Sequence, residues 1–549
     1  MRETNALITQ LFTIRNRYGK QAASEKLQLL NNIKIKTVKN KTAVASLYTA
    51  LLFLIAYPDN KMIYGSANKL LQELEAHLHA NEKLTYSLYN SGITRTKLSA
   101  AFSFEMVKWL RETRPTEISF NSFEATDAQI QSILSVVMTK TESEILQDAN
   151  AAWKGWLKHI KEPGQDLLDQ FIVIFGSSDT RPEVKDELWN AIGINVEISF
   201  TSHCCLPASL VKVYYNRSLI RKQIKQHAIQ KLTPVKLSQH EAEQIIDCSR
   251  MILLRKLREL DPISFSAAKN VSYYHLERGI SIALMGMVPG RRHPIDSYMG
   301  YLVFKNGLPV AYAGSWILFD SARIGLNVFS DYRGGEAKYI FEQVLQLHAK
   351  VYHLKRFTVD PYQLGKENSD GINSGAFWIY YHAGFRPLEK LQQELAEAEE
   401  IKIRSGKTYR SPALVLKTLA NSRLELVLQK NAVRFDATDL SLLYAAILAK
   451  KYKGDRRPEK DAVKKLAGIL KIKNPHDENI KFVLKNWSVL LLSNEKELKN
   501  NSGLKRSLKE LVILKAAGSE EAYITALQKT ADLRKFITLL LKEMLIKLP

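Results

Sequence analysis

The stretch "NSGAFWIYYHAGFRP" (373–387) decides the fold that this sequence predicts. It begins at the end of a loop rich in Gly, Asn and Ser. About two helical turns of aromatic and small residues follow, and they end at Gly384-Phe385. The segment "FRPL" (385–388) then begins a strand. A short aromatic helix between a loop and a strand has two interpretations. Its rings pack in a core, which is the usual role of an aromatic stripe, or they line a ligand site.

The segments before this stretch predict a mixed α/β sheet. Two strand-like runs around Asn306-Gly307 predict a β-hairpin, because this dipeptide suits a tight turn with positive φ. A further strand, an amphipathic helix and another strand follow, in the segments 322–329, 334–354 and 356–362. The predicted order is therefore hairpin, strand, helix, strand, helix, strand.

Length and patterning predict three regions. A chain of 549 residues is too long for one hydrophobic core. Residues 1–190 are typical of a mainly helical region, and residues 391–549 of a basic, mainly helical one. Residues 191–390 carry the α/β pattern, with "INVEISF" (194–200) as an early strand.

Composition narrows the class of protein. A net charge of +23 favours an acidic partner, such as an acyl-carrier protein, a tRNA or an anionic membrane surface. Three cysteines cannot form a disulfide framework, and no apolar run is long enough to span a bilayer. We therefore expect a cytoplasmic protein without a transmembrane segment, either free or peripheral to a membrane.

The spacing within the opening stretch resembles a motif of the GNAT superfamily of N-acyltransferases. In that family's second cofactor motif, Asn is followed by Ala, Tyr and Gly-Phe, and this spacing is matched by Asn373, Ala376, Tyr380 and Gly384-Phe385. The resemblance covers residues 270–390. It implies a GNAT-like domain that moves an acyl group from coenzyme A to an amine without a metal.

The resemblance also implies roles for the residues of the opening stretch. Tyr380 would act as the general acid that protonates the leaving thiolate. Asn373 would hydrogen-bond the pantetheine arm of the cofactor, beside Ala376. The alternative, in which the aromatic residues belong only to a core, stays open at this point.

The segment "VFSDYRGGEAKYIF" (328–341) resembles the pyrophosphate-binding turn of the same family. Backbone N–H groups at such a helix start suit an anion. The implied cofactor-binding residues are Val328, Phe329, Tyr332, Arg333, Gly334, Gly335 and Ala337. The match departs from the family's pattern. Counting back from Gly335 and Ala337 puts Tyr332 in the position of the usual Arg or Gln, whereas counting forward from Val328 puts Arg333 there and leaves the loop one residue short. The acyl donor is therefore either acyl-coenzyme A or an acyl-carrier protein.

The remaining catalytic groups are expected from position. In the family, a backbone N–H in the strand before the pyrophosphate turn polarises the thioester carbonyl, which implies a donor within 327–329. Asp320 is the first candidate for the general base, since it ends the second hairpin strand. The other candidates for the base are Asp360, Glu277, His275 and His382.

The acceptor is an amine of unknown identity. Arg291 and Arg292 lie in a polar loop before the hairpin and are candidates for binding an acidic group on the acceptor. Two other functions remain open. One is a transferase of the paired-GNAT type that uses aminoacyl-tRNA. The other is a non-catalytic module that senses an acyl cofactor or binds nucleic acid.

The adjacent cysteines Cys204 and Cys205 follow His203. This arrangement allows a metal ligand set, a thiol nucleophile or a buried structural pair. No second cysteine pair lies at ligand spacing, so the sequence favours the buried structural pair and predicts no metal.

Overall fold

The computed structural model describes residues 2–147, 152–220, 232–406, 408–456 and 459–545. The chain forms two units. The first comprises the chain up to Leu206, with Tyr215–Ser218 and Asp247–Glu259. The second comprises Pro207–Tyr214, Leu219–Ile246 and the chain from Leu260 onward. Each unit has its own sheet and its own buried core.

The first unit is mainly helical. Its helices are α1 (Arg2–Ile14), α2 (Lys20–Asn32), α3 (Lys41–Ala56), α4 (Lys61–His79), α5 (Glu82–Ser87), α6 (Phe104–Thr113), α7 (Asp127–Val137), α8 (Lys140–Gln147), α9 (Trp153–His159), α10 (Leu167–Ser177) and α11 (Pro182–Ile192). Helix α12 (Gln239–Arg255) adds its residues from Asp247 onward. Edge-to-face aromatic pairs such as Phe175–Trp189, with ring centroids 5.2 Å apart, fill the core.

A small antiparallel sheet completes the first unit. Its strands are β1 (Lys97–Ala101), β2 (Ile118–Phe123) and β3 (Ile194–Ser199), and β3 lies between the other two. Alternate residues of β3 are buried, as the period of two in its sequence predicts. The strand expected over 194–200 is confirmed, and its partners belong to this sheet.

The second unit is built on a larger mixed sheet. Its elements before the C-terminal helices are α13 (Asp261–Ser264), β4 (Ser266–His275), β5 (Ile280–Met287), β6 (Ser297–Lys305), β7 (Leu308–Leu318), β8 (Ser321–Ile324), β9 (Asn327–Val328), α14 (Ala337–Val351), β10 (Arg356–Val359), α15 (Pro361–Leu364), α16 (Ser369–Ser374), α17 (Ala376–His382), β11 (Arg386–Pro387), α18 (Lys390–Ser405), α19 (Ala413–Leu419) and β12 (Leu424–Val427). The sheet order is β11-β12-β10-β8-β7-β6-β5-β4, and β9 pairs with β7. The mixed α/β sheet with flanking helices that the sequence predicts is confirmed.

The hairpin and the crossover helix lie where the local sequence predicts them. Strands β6 and β7 are joined at Asn306 and Gly307, whose φ angles are 48° and 83°. Both lie in the left-handed region, as a tight hairpin turn requires. Strands β8 and β10 run parallel because helix α14 carries the chain back between them.

One strand of the sheet is not predicted from the sequence. Strand β12 lies within the region expected to be mainly helical and pairs antiparallel with β10 on one side and with β11 on the other. Since β11 contributes only Arg386 and Pro387, β12 is what extends the sheet beyond β10. Such a pairing joins distant parts of the chain, and the sequence carries no local signal for it.

The C-terminal helices pack around the hydrophobic core of the same unit. They are α20 (Ala437–Tyr452), α21 (Glu459–Leu470), α22 (Glu478–Leu491), α23 (Glu495–Asn500), α24 (Ser502–Ala517), α25 (Glu520–Gln528) and α26 (Ala531–Leu545). Their buried leucines and Trp487 pack with Leu318 and Phe319 at the end of β7. In the part of the chain that the structure describes, no helix is both long and apolar enough to cross a membrane.

Candidate functional site

The sheet opens where β8 ends. Strand β8 pairs with β7 on one side and with β10 on the other. The chain then breaks at Gly325-Leu326 and continues as β9, whose pairing partner among the described strands is β7. The sequence predicts one continuous strand over 322–329, and the structure divides it at Gly325-Leu326. A gap therefore opens between β9 and the end of β10.

A cavity of about 190 Å³ lies at this gap. Its lining comes from β7, from β8 and the break after it, and from the segment that follows β10, with the residues Leu260, Ala313, Gly314, Trp316, Arg323, Ile324, Gly325, Asn327, Asp360, Tyr362 and Gln363. A Cβ on Gly325 would lie 2.9 Å from the side-chain amide carbon of Gln363, so a larger residue at the break would have to displace the Gln363 side chain. The break and the cavity are thus parts of one feature.

Two buried tyrosines hold the peptide group at the break. The hydroxyl of Tyr301 donates a hydrogen bond to the carbonyl of Gly325. The N–H of Leu326, which belongs to the same peptide group, donates to the hydroxyl oxygen of Tyr380 over 3.1 Å. Because both polar atoms of this peptide are bound, its orientation is fixed.

Helix α17 presents Tyr380 to the break. Its ring packs edge-on against Phe341 of α14, with centroids 5.0 Å apart, and also contacts Phe385. Burial raises the pKa of Tyr380 to about 12, so the hydroxyl is protonated at neutral pH. Its oxygen accepts from Leu326, and its own hydrogen is left to donate elsewhere.

The other aromatic residues of α17 have different environments. Trp378 donates from its indole nitrogen to the Ser411 hydroxyl over 3.2 Å. Tyr381 stacks on Phe377 and lies under the guanidinium of Arg386. The Tyr380 ring is packed as those of its neighbours are, and Tyr380 is not among the residues that line the cavity. It differs from its neighbours because its hydroxyl contacts the peptide group at the break.

The strand after the break supplies a backbone donor. The N–H of Phe329 donates to the carbonyl of Val310 on β7 over 3.0 Å. Consecutive N–H groups of a strand point to opposite edges, so the N–H of Val328 points away from β7 and toward the gap. Within the segment 327–329, Val328 is thus the residue whose N–H has the expected direction.

The expected pyrophosphate turn is partly exposed. Tyr332 is buried, whereas Arg333 and Gly334 are exposed, and Gly334 has a φ of 88°. Gly335 is half-buried, and α14 begins at Ala337. The Arg333 side chain is therefore open to solvent beside the start of the helix, whereas the Tyr332 ring is part of the interior.

Glu336, in the same turn, is not among the residues that the sequence predicts for the site. The side chain is only 1% exposed, and its oxygens lie 2.6 Å from the Arg278 guanidinium and 3.1 Å from the Lys305 amine. Burial lowers the pKa of Lys305 to about 8, against the attraction of Glu336. The cluster fastens the start of α14 to the end of β6. No sequence pattern marks it, since its members are far apart in the chain.

The two outer residues of the family motif differ in placement. Ala376 is the first residue of α17 and is half-buried. Asn373 lies on α16 and is exposed to solvent. Gly375 separates the two helices with a φ of 63°. Asn373 is not among the residues that line the cavity.

Asp320 lies at the other end of β8 from the break. Its carboxylate accepts from the Val433 N–H over 2.8 Å and lies 3.3 Å from Lys355 and 3.4 Å from Arg534. Between residues 320 and 326 a strand advances about 20 Å. The structure therefore does not bring Asp320 to Tyr380, and it gives the Asp320 carboxylate a structural set of partners.

The two arginines expected to bind the acceptor also lie outside the cavity. Arg292 is 3% exposed; its guanidinium donates to the Met287 and Lys515 carbonyls, both over 3.0 Å, and pairs with Glu520 at 3.2 Å. Burial lowers the pKa of Arg292. Arg291 lies over the Phe265 ring, 4.4 Å from its centroid. The Arg292 guanidinium is thus committed to the interior of the second unit.

The charged groups of the cavity are Arg323 and Asp360. Their side chains form an ion pair of 3.1 Å, and Arg423 lies 3.3 Å from the second Asp360 oxygen. Arg323 also lies over the ring of Trp316, 4.4 Å from its centroid. Asp360 is one of the candidate bases that the sequence predicts. Arg323 is not predicted, because an arginine in a strand carries no signal of its own.

Comparison with protein-family models, with curated proteins and with solved structures gave no match for this chain. Among the described residues, no group of three or more His, Cys, Asp and Glu side chains is placed to hold a metal ion.

Proposed function

We propose that this chain is a GNAT-like N-acyltransferase that moves an acyl group from an acyl-coenzyme A or acyl-carrier protein thioester to an amine. The observation that carries the proposal is the opening beside the broken strand. There a buried tyrosine hydroxyl and the N–H of Val328 lie at one gap, next to a cavity. This arrangement suits a carbonyl that gains negative charge and a sulfur that leaves.

The topology supports the proposal. The hairpin of β6 and β7 is followed by β8, α14, the parallel strand β10 and α17. This is the order that the resemblance to the GNAT superfamily implies, and the strand before the expected pyrophosphate turn departs from the next one at the implied place.

The thioester supplies an acyl carbon that is activated for attack by an amine. In the proposed reaction the amine nitrogen forms a bond to this carbon, the carbon–sulfur bond breaks, and the nitrogen loses a proton. The N–H of Val328 would stabilise the charge on the carbonyl oxygen. The chain would need no covalent intermediate on its own residues.

The role of Tyr380 follows from its pKa of about 12. A thiol has a pKa of about 8.5, so full transfer of the tyrosine proton to a thiolate is uphill. Tyr380 would therefore stabilise the departing sulfur by donating a hydrogen bond. This is a narrower role than the general acid that the resemblance implies.

Asp360 is the carboxylate best placed to accept the proton of the amine. It lines the cavity, whereas Asp320 is held at the far end of β8. Arg323 and Arg423 fix its position from two sides. An acceptor with its own carboxylate would fit beside Arg323, at the cost of that ion pair.

The proposal is tested by the thermal stability of the protein with added ligands. The ligands are coenzyme A, acetyl-coenzyme A, a medium-chain acyl-coenzyme A and the phosphopantetheine arm alone. A ligand present at about a hundredfold its dissociation constant adds about 2.7 kcal/mol, a shift of a few degrees. A shift that grows with chain length supports an acyl-coenzyme A donor, and an equal shift with the arm alone supports a carrier-protein donor.

A variant locates the binding site in the same experiment. Gly325→Gln should abolish the shift, because its side chain must occupy space now held by Gln363. Gly155→Gln, at an open position in the first unit, should leave the shift unchanged. No shift with any ligand would overturn the proposal.

A further inference from the structure

The cysteines of the chain are grouped around one segment of the first unit. The chain has three cysteines. Cys204 and Cys205 lie in the irregular segment after β3, and Cys248, on α12, interacts electrostatically with both. Cys248 is buried, whereas Cys205 is exposed. The expectation of a buried structural pair is therefore wrong for Cys205.

His203 connects Cys205 to a carboxylate. Its Nδ1 atom lies 2.9 Å from the carboxylate of Glu75 on α4. It also makes a side-chain hydrogen bond with Cys205. Cys205 is two positions beyond His203 in the irregular segment after β3. Thiol, imidazole and carboxylate thus form one connected group.

The imidazole of this group is charged at neutral pH. Burial works against the charge, but the hydrogen bonds with Cys205 and Glu75 outweigh it and raise the pKa of His203 to about 9. Tyr64 of α4, Cys204 and Cys248 also interact with Cys205, and the buried Arg255 of α12 interacts with Glu75, Cys204 and Cys248. His203 can therefore deliver a proton to a sulfur that leaves during an exchange at Cys205.

We propose that Cys205 is a nucleophilic thiol that exchanges with low-molecular-weight disulfides, with His203 as its proton-transfer partner and Glu75 as the residue that positions His203. The arrangement has three parts: an exposed thiol, a protonated imidazole that is hydrogen-bonded to it, and a carboxylate that orients the imidazole. It is independent of the function proposed for the second unit.

The exchange replaces one disulfide bond by another. The Cys205 thiolate attacks one sulfur of the disulfide, a bond forms between Cys205 Sγ and that sulfur, and the disulfide bond breaks. The released thiolate takes a proton from the His203 imidazolium. The product is a mixed disulfide on Cys205, and a second thiol in solution reverses the reaction.

The test uses the full chain and the aromatic disulfide DTNB, whose released thiolate is coloured. The native protein should react rapidly at one thiol, and the intact mass with peptide mapping should place the label on Cys205. In Cys205→Ser the rapid phase should be absent. A rapid phase that persists in this variant, or a label on Cys204 or Cys248, would overturn the proposal.

The partners of Cys205 are tested by two further variants. His203→Ala should lower the second-order rate constant at pH 7 about tenfold or more. Glu75→Gln should lower it less and move the pH at which the rate is half-maximal. Glu73→Gln is the matched control, because Glu73 is exposed on the same helix. Circular dichroism and thermal melts confirm that each variant is folded.

The pH profile separates a positioning role from a structural one. If Glu75 only supports the fold, Glu75→Gln lowers thermal stability and leaves the rate profile of the folded protein unchanged. That result would remove Glu75 from the proposal, and an unchanged rate in His203→Ala would overturn it as a whole.

Discussion

The two ends of β8 have opposite environments. At the Asp320 end, both carboxylate oxygens have partners, from the Val433 N–H, Lys355 and Arg534. At the other end the strand breaks, the next strand departs, and a cavity opens beside Gly325. The Asp320 end, called the closed end below, therefore joins the sheet to the C-terminal helices. The Gly325 end, called the open end, leaves room for a ligand.

The difference shows how a carboxylate whose oxygens are all used by the fold differs from a hydroxyl that keeps a hydrogen to donate. Asp320 is polar, buried and next to a hairpin, but each of its oxygens is committed to a protein group. Tyr380 is equally buried, and its fixed hydrogen bond leaves its hydrogen directed elsewhere. The criterion is which donors and acceptors of a buried side chain are not used in hydrogen bonds within the fold.

The largest expected effect is on catalysis at the open end. If the proposed function holds, Tyr380→Phe should lower the turnover number at least about a hundredfold. The reason is the loss of the hydrogen bond to the leaving sulfur. Release of free coenzyme A, measured by chromatography, gives the rate. Tyr381→Phe is the control, since it removes a hydroxyl from the same helix, and equal activity in both variants would contradict the role of Tyr380.

The second effect concerns the packing beneath the open end. His348 is buried against Tyr301, with ring centroids 5.0 Å apart, and burial lowers its pKa to about 4. The folded-state pKa is below the unfolded value of about 6.5, so the unfolded chain binds the proton more tightly. This contribution to stability is present above pH 6.5 and is lost as the pH falls toward 4. It amounts to about 3 kcal/mol.

Urea unfolding at a series of pH values measures this loss. His348→Gln should flatten the curve between pH 6.5 and 4. His353→Asn, at an exposed position just beyond the same helix, should leave the curve unchanged. An identical pH dependence in His348→Gln and the parent protein would show that another group is responsible.

The third effect is at the closed end and concerns stability rather than catalysis. Asp320→Asn keeps the acceptor for Val433 but removes the charge that faces Lys355 and Arg534. We expect a loss of about 1–2 kcal/mol, because both cations are partly exposed and the pair is screened. The midpoint of urea unfolding measures it. Acyl transfer by the folded variant should stay near the parent rate, and a large loss would return Asp320 to the candidate bases.

The smallest expected effect comes from Tyr301. Tyr301→Phe removes the donor to the Gly325 carbonyl and should cost about 1 kcal/mol of stability. The rate of acyl transfer should fall only a few-fold, because Tyr380 still holds the Leu326 N–H. A rate loss as large as that of Tyr380→Phe would mean that the two hydroxyls act as one unit, and a double variant measures their coupling.

Local patterns explain why much of the fold was predictable. The positive φ angles at Asn306 and Gly307 follow from the residue types, and the period of α14 follows from its apolar positions. The helix with Tyr380 is predicted by its spacing between a glycine-containing loop and Gly384. Each of these features is decided within a few residues of chain.

The candidate site was predictable only in part. Tyr380 and Val328 are both in the predicted set, and both lie at the gap. Arg292 and Asp320 are in the same set, but partners far away in the sequence commit them to the interior. Nothing near either residue in the sequence indicates those partners.

The sequence by itself determined the hairpin, the crossover helix and the aromatic helix, because backbone preference and hydrophobic period act over short distances. Only the tertiary structure decided that β12 completes the sheet, that Glu336 pairs with Lys305, and that the Gly325-Leu326 peptide lies between two tyrosines. Those contacts join segments distant in the chain, and their free energy depends on burial and geometry that exist only once the sheet has formed.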